Sequence, residues 1–144
     1  RALWPALEDM GYPFGPLMML LLITGQRRGE VAKMRWADLD IERGVWTLPS
    51  ESTKAGRAHA VPLSPLAIGI IKGLPRFAGA FVFTSGAGVR PVSGFGRAKD
   101  RIDELSGVKD WRLHDLRRTA ASGMARLGIV GDTLAACSTM PARA

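Results

Sequence analysis

Four basic side chains in this sequence combine residue types that suit phosphate chemistry: Arg27, Lys54, His114 and Arg117. A guanidinium group presents a planar set of donors that matches two oxygens of a phosphate. An ammonium group and an imidazole can each pass a proton to or from a reacting oxygen. Together the four residues predict a site that binds a phosphate ester and assists proton transfer on it.

Arg27 lies in the segment Thr24–Glu30, directly after an apolar run. We expect Gly25 to end one helix and Arg27 to stand in the first turn of the next, where free N–H groups favour an anion. Glu30 would then hold the guanidinium or cap the turn. By itself the segment favours a simpler interpretation, in which Arg27 and Arg28 form an exposed pair beside a first-turn acid.

Lys54 falls in a polar stretch, residues 50–58, between two strand-like segments. Gly56 within the stretch suits a hairpin turn. A flexible turn can carry an ammonium group to a phosphate, where it protonates a departing oxygen. Taken alone, the stretch is also typical of an ordinary solvated turn, and we assign no chemistry to His59 on the following strand.

His114 and Arg117 are three positions apart in a helical stretch and therefore share a face. Leu113, Leu116 and Ala120 would place the same helix against the core. The pair could present an imidazole and a guanidinium to one phosphodiester. The alternative is a locally hydrogen-bonded histidine at a helix start, followed by an exposed arginine pair.

The elements that must position these side chains are mostly helices. Apolar periodicity, glycine breaks and proline starts predict six helices and three short strands. The helices are Ala2–Met10, Gly15–Thr24, Arg28–Trp36, Pro65–Lys72, Ser93–Leu105 and Leu113–Leu127, and the strands are Val45–Leu48, His59–Leu63 and Phe81–Phe83. The sequence therefore predicts a mainly α domain with a small three-stranded antiparallel β-sheet near its middle, an α+β core.

Length and charge set the class of molecule. With 144 residues, 47% of them hydrophobic, the chain suits a single domain, 1–144, with a packed core. Twenty basic against thirteen acidic side chains leave a net charge of +7, which favours a polyanionic partner. The apolar run Leu17–Ile23 is too short to span a bilayer. The single cysteine, Cys137, cannot form an internal disulfide and indicates a reducing, intracellular setting.

In this order and context the motifs resemble those of the tyrosine recombinases, the phage integrase family. Arg27 stands in a Thr-Gly-x-Arg-x-x-Glu pattern and Lys54 in a Thr-Lys-x-x-Arg turn that leads to a Val-Pro-Leu strand. His114 and Arg117 stand in a His-x-Leu-Arg box. The resemblance covers residues 15–128 and implies an integrase-like catalytic core, whereas residues 129–144 form a divergent or truncated tail.

The resemblance implies a reaction without metal or nucleotide cofactor. In the family a tyrosine attacks a DNA phosphodiester, which gives a 3′-phosphotyrosyl link and a free 5′-hydroxyl. Two arginines stabilise charge on the non-bridging oxygens, a lysine protonates the leaving 5′ oxygen, and histidines assist proton transfer. On this match Arg27 and Arg117 are the two arginines, Lys54 is the lysine and His114 is one of the histidines.

The sequence departs from the family at the nucleophile. Its only tyrosine is Tyr12, far from the expected position and next to Pro13, so we expect a structural role for it. Residues 135–140 also lack the further histidine or tryptophan of the family. We therefore expect a DNA-binding catalytic-domain fragment, truncated before the tyrosine and inactive alone. The alternative is a non-catalytic basic module that binds nucleic acid.

The resemblance also implies partners and a location. Family members act on double-stranded DNA as homo-tetramers, whereas we expect this chain alone to be monomeric or weakly associating. We expect no membrane partner, and a bacterial or phage-derived protein of this kind would lie in the cytoplasm with the nucleoid. The motifs do not distinguish DNA integration from excision or resolution.

Overall fold

The structure is a computed structural model that describes residues 3–52 and 56–127. In this part of the chain the helices are α1 (Leu3–Met10), α2 (Phe14–Thr24), α3 (Arg28–Ala32), α4 (Pro65–Lys72), α5 (Phe95–Ser106) and α6 (Leu113–Arg126). The strands are β1 (Leu39–Asp40), β2 (Val45–Leu48), β3 (His59–Pro62), β4 (Thr84–Gly86) and β5 (Arg90–Pro91), with 3₁₀ turns at Trp36–Asp38 and Ser50–Ser52. The mainly helical fold with a small three-stranded antiparallel sheet is confirmed.

Helix α2 is the centre of the core because it is apolar on every side. All five side chains from Leu17 to Leu21 are buried, and α1, α3, α4 and α6 pack around the helix. Gly15 permits the approach of α1, since a Cβ at this position would overlap the carbonyl oxygen of Leu7. This central helix ends where the predicted site begins.

Gly25 ends α2 and directs the chain into the site. Its φ of 69° lies in the left-handed region that glycine adopts without strain. Its N–H donates to the carbonyl oxygen of Leu21 at 3.0 Å, which closes the helix. The chain then passes through Gln26 and Arg27 and enters α3 at Arg28.

Helix α3 is shorter than the predicted helix Arg28–Trp36. It stops at Ala32 because the next residues bond to a distant segment instead of continuing the helix. The carbonyl oxygen of Met34 accepts from the N–H of Val82 at 2.9 Å, and Arg35 forms an isolated β-bridge with Phe81. These pairings draw the end of the predicted helix into an extended conformation.

The three-stranded sheet has the order β1-β2-β3 with antiparallel pairing throughout. Trp46 in β2 pairs with Leu39 on one side and with Val61 on the other. Trp46, Leu48, His59 and Val61 are buried, so the β2–β3 hairpin covers the core with one face. These are the two strands predicted to flank Lys54. Lys54 belongs to the segment 53–55, which lies outside the described residues.

The prediction that Phe81–Phe83 forms the third strand is wrong, because the third strand of the sheet is β1. The backbone of residues 82–83 bonds to three separate parts of the molecule. The Val82 carbonyl oxygen accepts from the Tyr12 hydroxyl at 2.8 Å, the Val82 N–H donates to Met34, and the Phe83 carbonyl oxygen accepts from the N–H of Val92 at 3.1 Å. Both side chains are fully buried, which makes the run a core segment. Strands β4 and β5 follow it as a separate two-stranded hairpin.

The helices of the second half lie close to their predicted bounds. The Ser64 hydroxyl accepts from the N–H of Ala67 at 3.2 Å and caps α4, with Pro65 in the first turn. α5 and α6 each begin and end within two residues of prediction. Within the described residues, no helix has the length and apolar character needed to cross a bilayer. The predicted tail 129–144, which includes Cys137, lies outside the described residues.

Candidate functional site

Arg27 is placed at the entrance to α3 by a buried carboxylate. Its N–H donates to Oε2 of Glu30 at 3.2 Å, and its Nη1 lies 3.6 Å from Oε1 of the same residue. Glu30 is only 5% exposed, whereas the Arg27 side chain is 40% exposed. The carboxylate therefore holds the base of the arginine and leaves part of the guanidinium facing solvent.

Arg117 reaches from α6 to the turn that ends α2. Its Nε donates to the carbonyl oxygen of Gly25 at 2.9 Å, and α6 packs on α2. Burial lowers the pKa of Arg117 below its usual value, the positive charge of Arg27 lowers it further, and Glu30 opposes both. Because an arginine stays protonated at any ordinary pH, two adjacent cations persist here and favour an anion between them.

Three of the four predicted site residues line one cleft of about 660 Å³. Arg27 approaches from α3, and His114 and Arg117 approach from the first two turns of α6. His114 is exposed, and Arg117 is half-buried. Lys54 lies outside the described residues, so the structure gives no position for it.

The sequence patterns missed several residues of the cleft. The further cationic and aromatic lining consists of Arg28, Phe95, Lys99, Trp111 and Arg112. The guanidinium carbon of Arg28 lies 4.9 Å from the centre of the Phe95 ring, a cation–π contact. An available signal was the Trp111-Arg112 pair, which ends two positions before His114 of the His-x-Leu-Arg box and places an aromatic residue after a polar stretch.

A polar cluster joins α5 to the segment that leads into α6. Asp103 accepts from Lys99 Nζ at 2.7 Å on both carboxylate oxygens and from the Trp111 indole N–H at 2.8 Å. Lys99 Nζ also lies 4.3 Å from the centre of the Trp111 ring. The hydrogen bond from Lys99 is the main reason that the pKa of Asp103 falls below its usual value. The cluster fixes Trp111 two positions before α6 begins.

The lining of the cleft is strongly cationic. Within the part of the chain that the structure describes, it includes five arginine and lysine side chains and no carboxylate. Among the described residues no group of three or more His, Cys, Asp or Glu side chains is placed to hold a metal ion. The side chains themselves can therefore bind an anion with several oxygens, and guanidinium forks suit a phosphate group.

Tyr12 takes a structural position away from this lining. Its hydroxyl donates to the carbonyl oxygen of Val82 and accepts from the N–H of Thr84 at 3.1 Å. Its ring contacts Phe77 and Phe83. Burial raises the pKa of Tyr12, and the hydrogen bond from Thr84 offsets part of that rise. A neutral hydroxyl with both bonding directions used is a poor nucleophile.

Comparison with known proteins supplies the family. The family model described as the phage integrase family matches residues 8–137 of this chain. The chain belongs to the phage integrase family, the tyrosine recombinases. The match begins before and ends after residues 15–128, the range in which the motifs lie.

Curated members of the family are similar to part of this chain. The shufflon-specific DNA recombinase of Escherichia coli is 35% identical over 109 residues, which are 76% of this chain and 27% of that protein. The integrase of Salmonella phage P22 is 25% identical over 135 residues, which are 85% of this chain and 35% of that protein. The chain thus spans about a third or less of the length of these integrase relatives.

Solved structures of tyrosine recombinases share the fold. XerA recombinase matches with a TM-score of 0.76 at 19% identity, over 94% of this chain and 51% of that one. The lambda integrase catalytic core matches with a TM-score of 0.69 at 23% identity, over 94% of this chain and 83% of that one. At these identities the likeness shows that the described helices and sheet have the architecture of an integrase catalytic core.

Proposed function

We propose that this chain is the DNA-binding catalytic domain of a site-specific recombinase, and that its cleft holds a phosphodiester of double-stranded DNA. The observation that carries the proposal is the meeting of Arg27, His114 and Arg117 on one cleft. The two arginines are 90 positions apart in the sequence (117 − 27 = 90). Convergence of the motif residues over such a distance favours an integrase site over scattered surface charge.

The roles of the arginines follow from their bonding. The Nε–H of Arg117 donates to the carbonyl oxygen of Gly25. The two Nη groups of the same guanidinium can then donate to non-bridging phosphate oxygens. Glu30 pairs with the guanidinium of Arg27, and the exposed part of that guanidinium can donate to the same phosphate. Donors fixed before the reaction stabilise the charge that develops at phosphorus without reorganising.

The proton-transfer roles rest on the family pattern. The exposed imidazole of His114 lies at the cleft, where it can pass a proton to or from a phosphate oxygen. We assign protonation of the leaving 5′ oxygen to Lys54, which lies in the sequence between β2 and β3. In this scheme the catalytic set is Arg27, Lys54, His114 and Arg117, with no cofactor.

Strand cleavage also needs a nucleophile, which we place on a polypeptide segment outside these 144 residues. Tyr12 is the only tyrosine of the chain and is not among the residues that line the cleft. The chain alone would then bind DNA without cutting it. The same observation favours the second candidate, a basic module that binds nucleic acid and has no catalytic role.

Structural relatives suggest the partners. One solved structure is a lambda integrase dimer bound to a COC′ core site, and another is a lambda integrase tetramer bound to a Holliday junction. A third is XerH recombinase bound to its difH substrate. By analogy we propose double-stranded DNA as the partner of this chain, on the nucleoid in the cytoplasm, with the isolated chain monomeric or weakly associating.

The salt dependence of binding to a random-sequence duplex tests this site. If Arg27 and Arg117 hold one phosphate, Arg27→Gln/Arg117→Gln should flatten the slope of log K against log salt concentration by about 0.9. Arg101→Gln/Arg118→Gln is the matched control, since it removes the same charge from exposed positions of α5 and α6 that do not line the cleft. An equal change of slope in both pairs would reduce the site to general surface charge.

A further inference from the structure

The cleft carries more positive charge than one phosphodiester can neutralise. Among the residues that the structure describes, five arginine and lysine side chains line it, and two carboxylates outside the lining pair with two of these cations. Glu30 lies 3.6 Å from Arg27, and Asp103 lies 2.7 Å from Lys99. The arginine and lysine side chains that remain without a paired carboxylate carry a charge of +3 (5 − 2 = 3), against −1 for a phosphodiester. Such an excess favours a ligand with more than one negative charge.

Two of the uncompensated cations are not needed for the phosphate held by Arg27 and Arg117. Arg28 and Arg112 are exposed, line the same cleft, and form no ion pair with an acid in the described part of the chain. The guanidinium of Arg28 packs over the ring of Phe95. The N–H of Arg112 donates to Oδ2 of Asp115 at 2.8 Å, which fixes its backbone at the start of α6.

We infer that Arg28 and Arg112 bind a second phosphate, the neighbour of the reacting one on the same DNA strand. Each is close in sequence to an arginine of the first pair: Arg28 follows Arg27, and Arg112 stands five positions before Arg117 (117 − 112 = 5). Charges of one strand follow each other at about 3.4 Å along the axis of B-DNA, so neighbouring arginine pairs suit successive phosphates.

A second phosphate contact would set the register of the strand. Contacts to phosphates position a protein on DNA without reading sequence. One phosphate held between two arginines can still pivot, whereas two held phosphates fix the direction of the strand through the cleft. The reacting phosphorus is then aligned for attack along one line. The inference rests on the proposed function, because Arg27 and Arg117 define the first phosphate.

The test is additivity of salt slopes on the full chain with a random-sequence duplex. The proteins are the wild type, Arg27→Gln/Arg117→Gln, Arg28→Gln/Arg112→Gln, the quadruple variant and the control Arg101→Gln/Arg118→Gln. If two phosphates are held, each cleft pair should flatten the slope by about 0.9 and the quadruple variant by about 1.8. Thermal melts of every variant establish that it is folded.

The other outcomes separate the two proposals. If the quadruple variant is no flatter than Arg27→Gln/Arg117→Gln, all four arginines act on one phosphate, which overturns this inference and leaves the proposed function. If Arg27→Gln/Arg117→Gln changes the salt slope no more than the control does, the proposed function fails. A second phosphate can then no longer be placed next to a first one. A control-like result for Arg28→Gln/Arg112→Gln alone overturns only the inference.

Short ligands give a second measurement that does not depend on the Arg117 variant being folded. Thymidine dinucleotide has one phosphodiester, and the trinucleotide has two; both are titrated by NMR. Arg28→Gln/Arg112→Gln should weaken binding of the trinucleotide by roughly fivefold, the order of effect for two exposed charge contacts, and leave dinucleotide binding unchanged. An equal loss for both ligands contradicts a separate second phosphate.

Discussion

Arg117 links the two parts of the candidate site through one hydrogen bond. Its Nε reaches the Gly25 carbonyl oxygen over 92 positions of sequence, and that oxygen is free for this contact because the left-handed turn at Gly25 ends α2. The motif patterns located Arg27 and Arg117 but gave no sign of this bond. A side-chain bond to a distant carbonyl depends on packing of α6 on α2, which no local pattern encodes.

The residues missed at this scale are informative for the same reason. Arg28 and Arg112 look like ordinary solvated charges in the sequence, and both are in fact exposed. Only the shape of the cleft groups them with Arg27 and Arg117. Composition showed that the chain is basic, but the position of each cation needed the fold.

Tyr12→Phe tests the structural role of Tyr12. The variant keeps the ring contacts with Phe77 and Phe83 but leaves the Val82 carbonyl oxygen and the Thr84 N–H without their partner. We expect a loss of about 1–2 kcal/mol in the free energy of unfolding, measured with urea, because buried groups would be left unpaired. The salt slope of DNA binding should not change, and a changed slope would place Tyr12 at the DNA.

The pH dependence of the same comparison has a defined sign. Burial raises the pKa of folded Tyr12 above its ordinary value of 10.0, so the folded state holds the proton more tightly than the unfolded state does. This contribution is complete below pH 10 and is lost as the pH rises through the folded pKa. The stability difference between wild type and Tyr12→Phe should therefore shrink above pH 10, and a difference that grows would contradict burial as the cause.

At the scale of elements, α3 and α6 start in the same way. In each case an arginine stands just before the first turn, and its N–H donates to an acid three positions later: Arg27 to Glu30 and Arg112 to Asp115. The acids also lie at the positive end of the helix, where a carboxylate is favourable. Both starts direct an arginine side chain to the cleft.

The polar cluster of Lys99, Asp103 and Trp111 lies next to the start of α6. Asp103→Ala removes the acceptor of the Trp111 indole N–H. Asp103→Asn keeps one acceptor oxygen for that N–H but replaces the other oxygen with an NH2 group and removes the charge that binds Lys99. We expect amide exchange in Leu113–Arg117 to become roughly tenfold faster in the alanine variant, the factor for about one lost hydrogen bond. It should change little in the asparagine variant, and equal exchange in both would show that Trp111 does not hold α6.

Elements were predictable where local signals agree. α4 has a capping serine, a proline in the first turn and a glycine at its end, and its bounds are as predicted. The apolar run Phe81–Phe83 looks like a strand, but its backbone partners lie in three remote places. β1 has two residues and β4–β5 includes Thr84, Gly86 and Arg90, so neither presents the apolar alternation by which strands are recognised.

At the scale of the whole molecule, the helical core of the described residues presents a cationic cleft. The core is built on α2, and the cleft forms where the turn after α2 meets the starts of α3 and α6. The net charge of +7 favours a polyanionic partner at long range, and in the proposed function the cleft holds one phosphate of that partner. The proposed reaction also needs a nucleophile, and Tyr12 does not line the cleft.

The most direct measurement is whether the chain forms a covalent adduct with DNA once a tyrosine nucleophile is supplied. The chain is fused to a carboxy-terminal, tyrosine-bearing segment of another phage integrase family member and incubated with a long random-sequence duplex pool, and covalent protein–DNA adducts are trapped with detergent. We predict an adduct through a 3′-phosphotyrosyl link in this chimera and none when Arg27→Gln/Arg117→Gln is added. A folded chimera that binds the duplex but gives no adduct would contradict a catalytic cleft and leave a basic DNA-binding module.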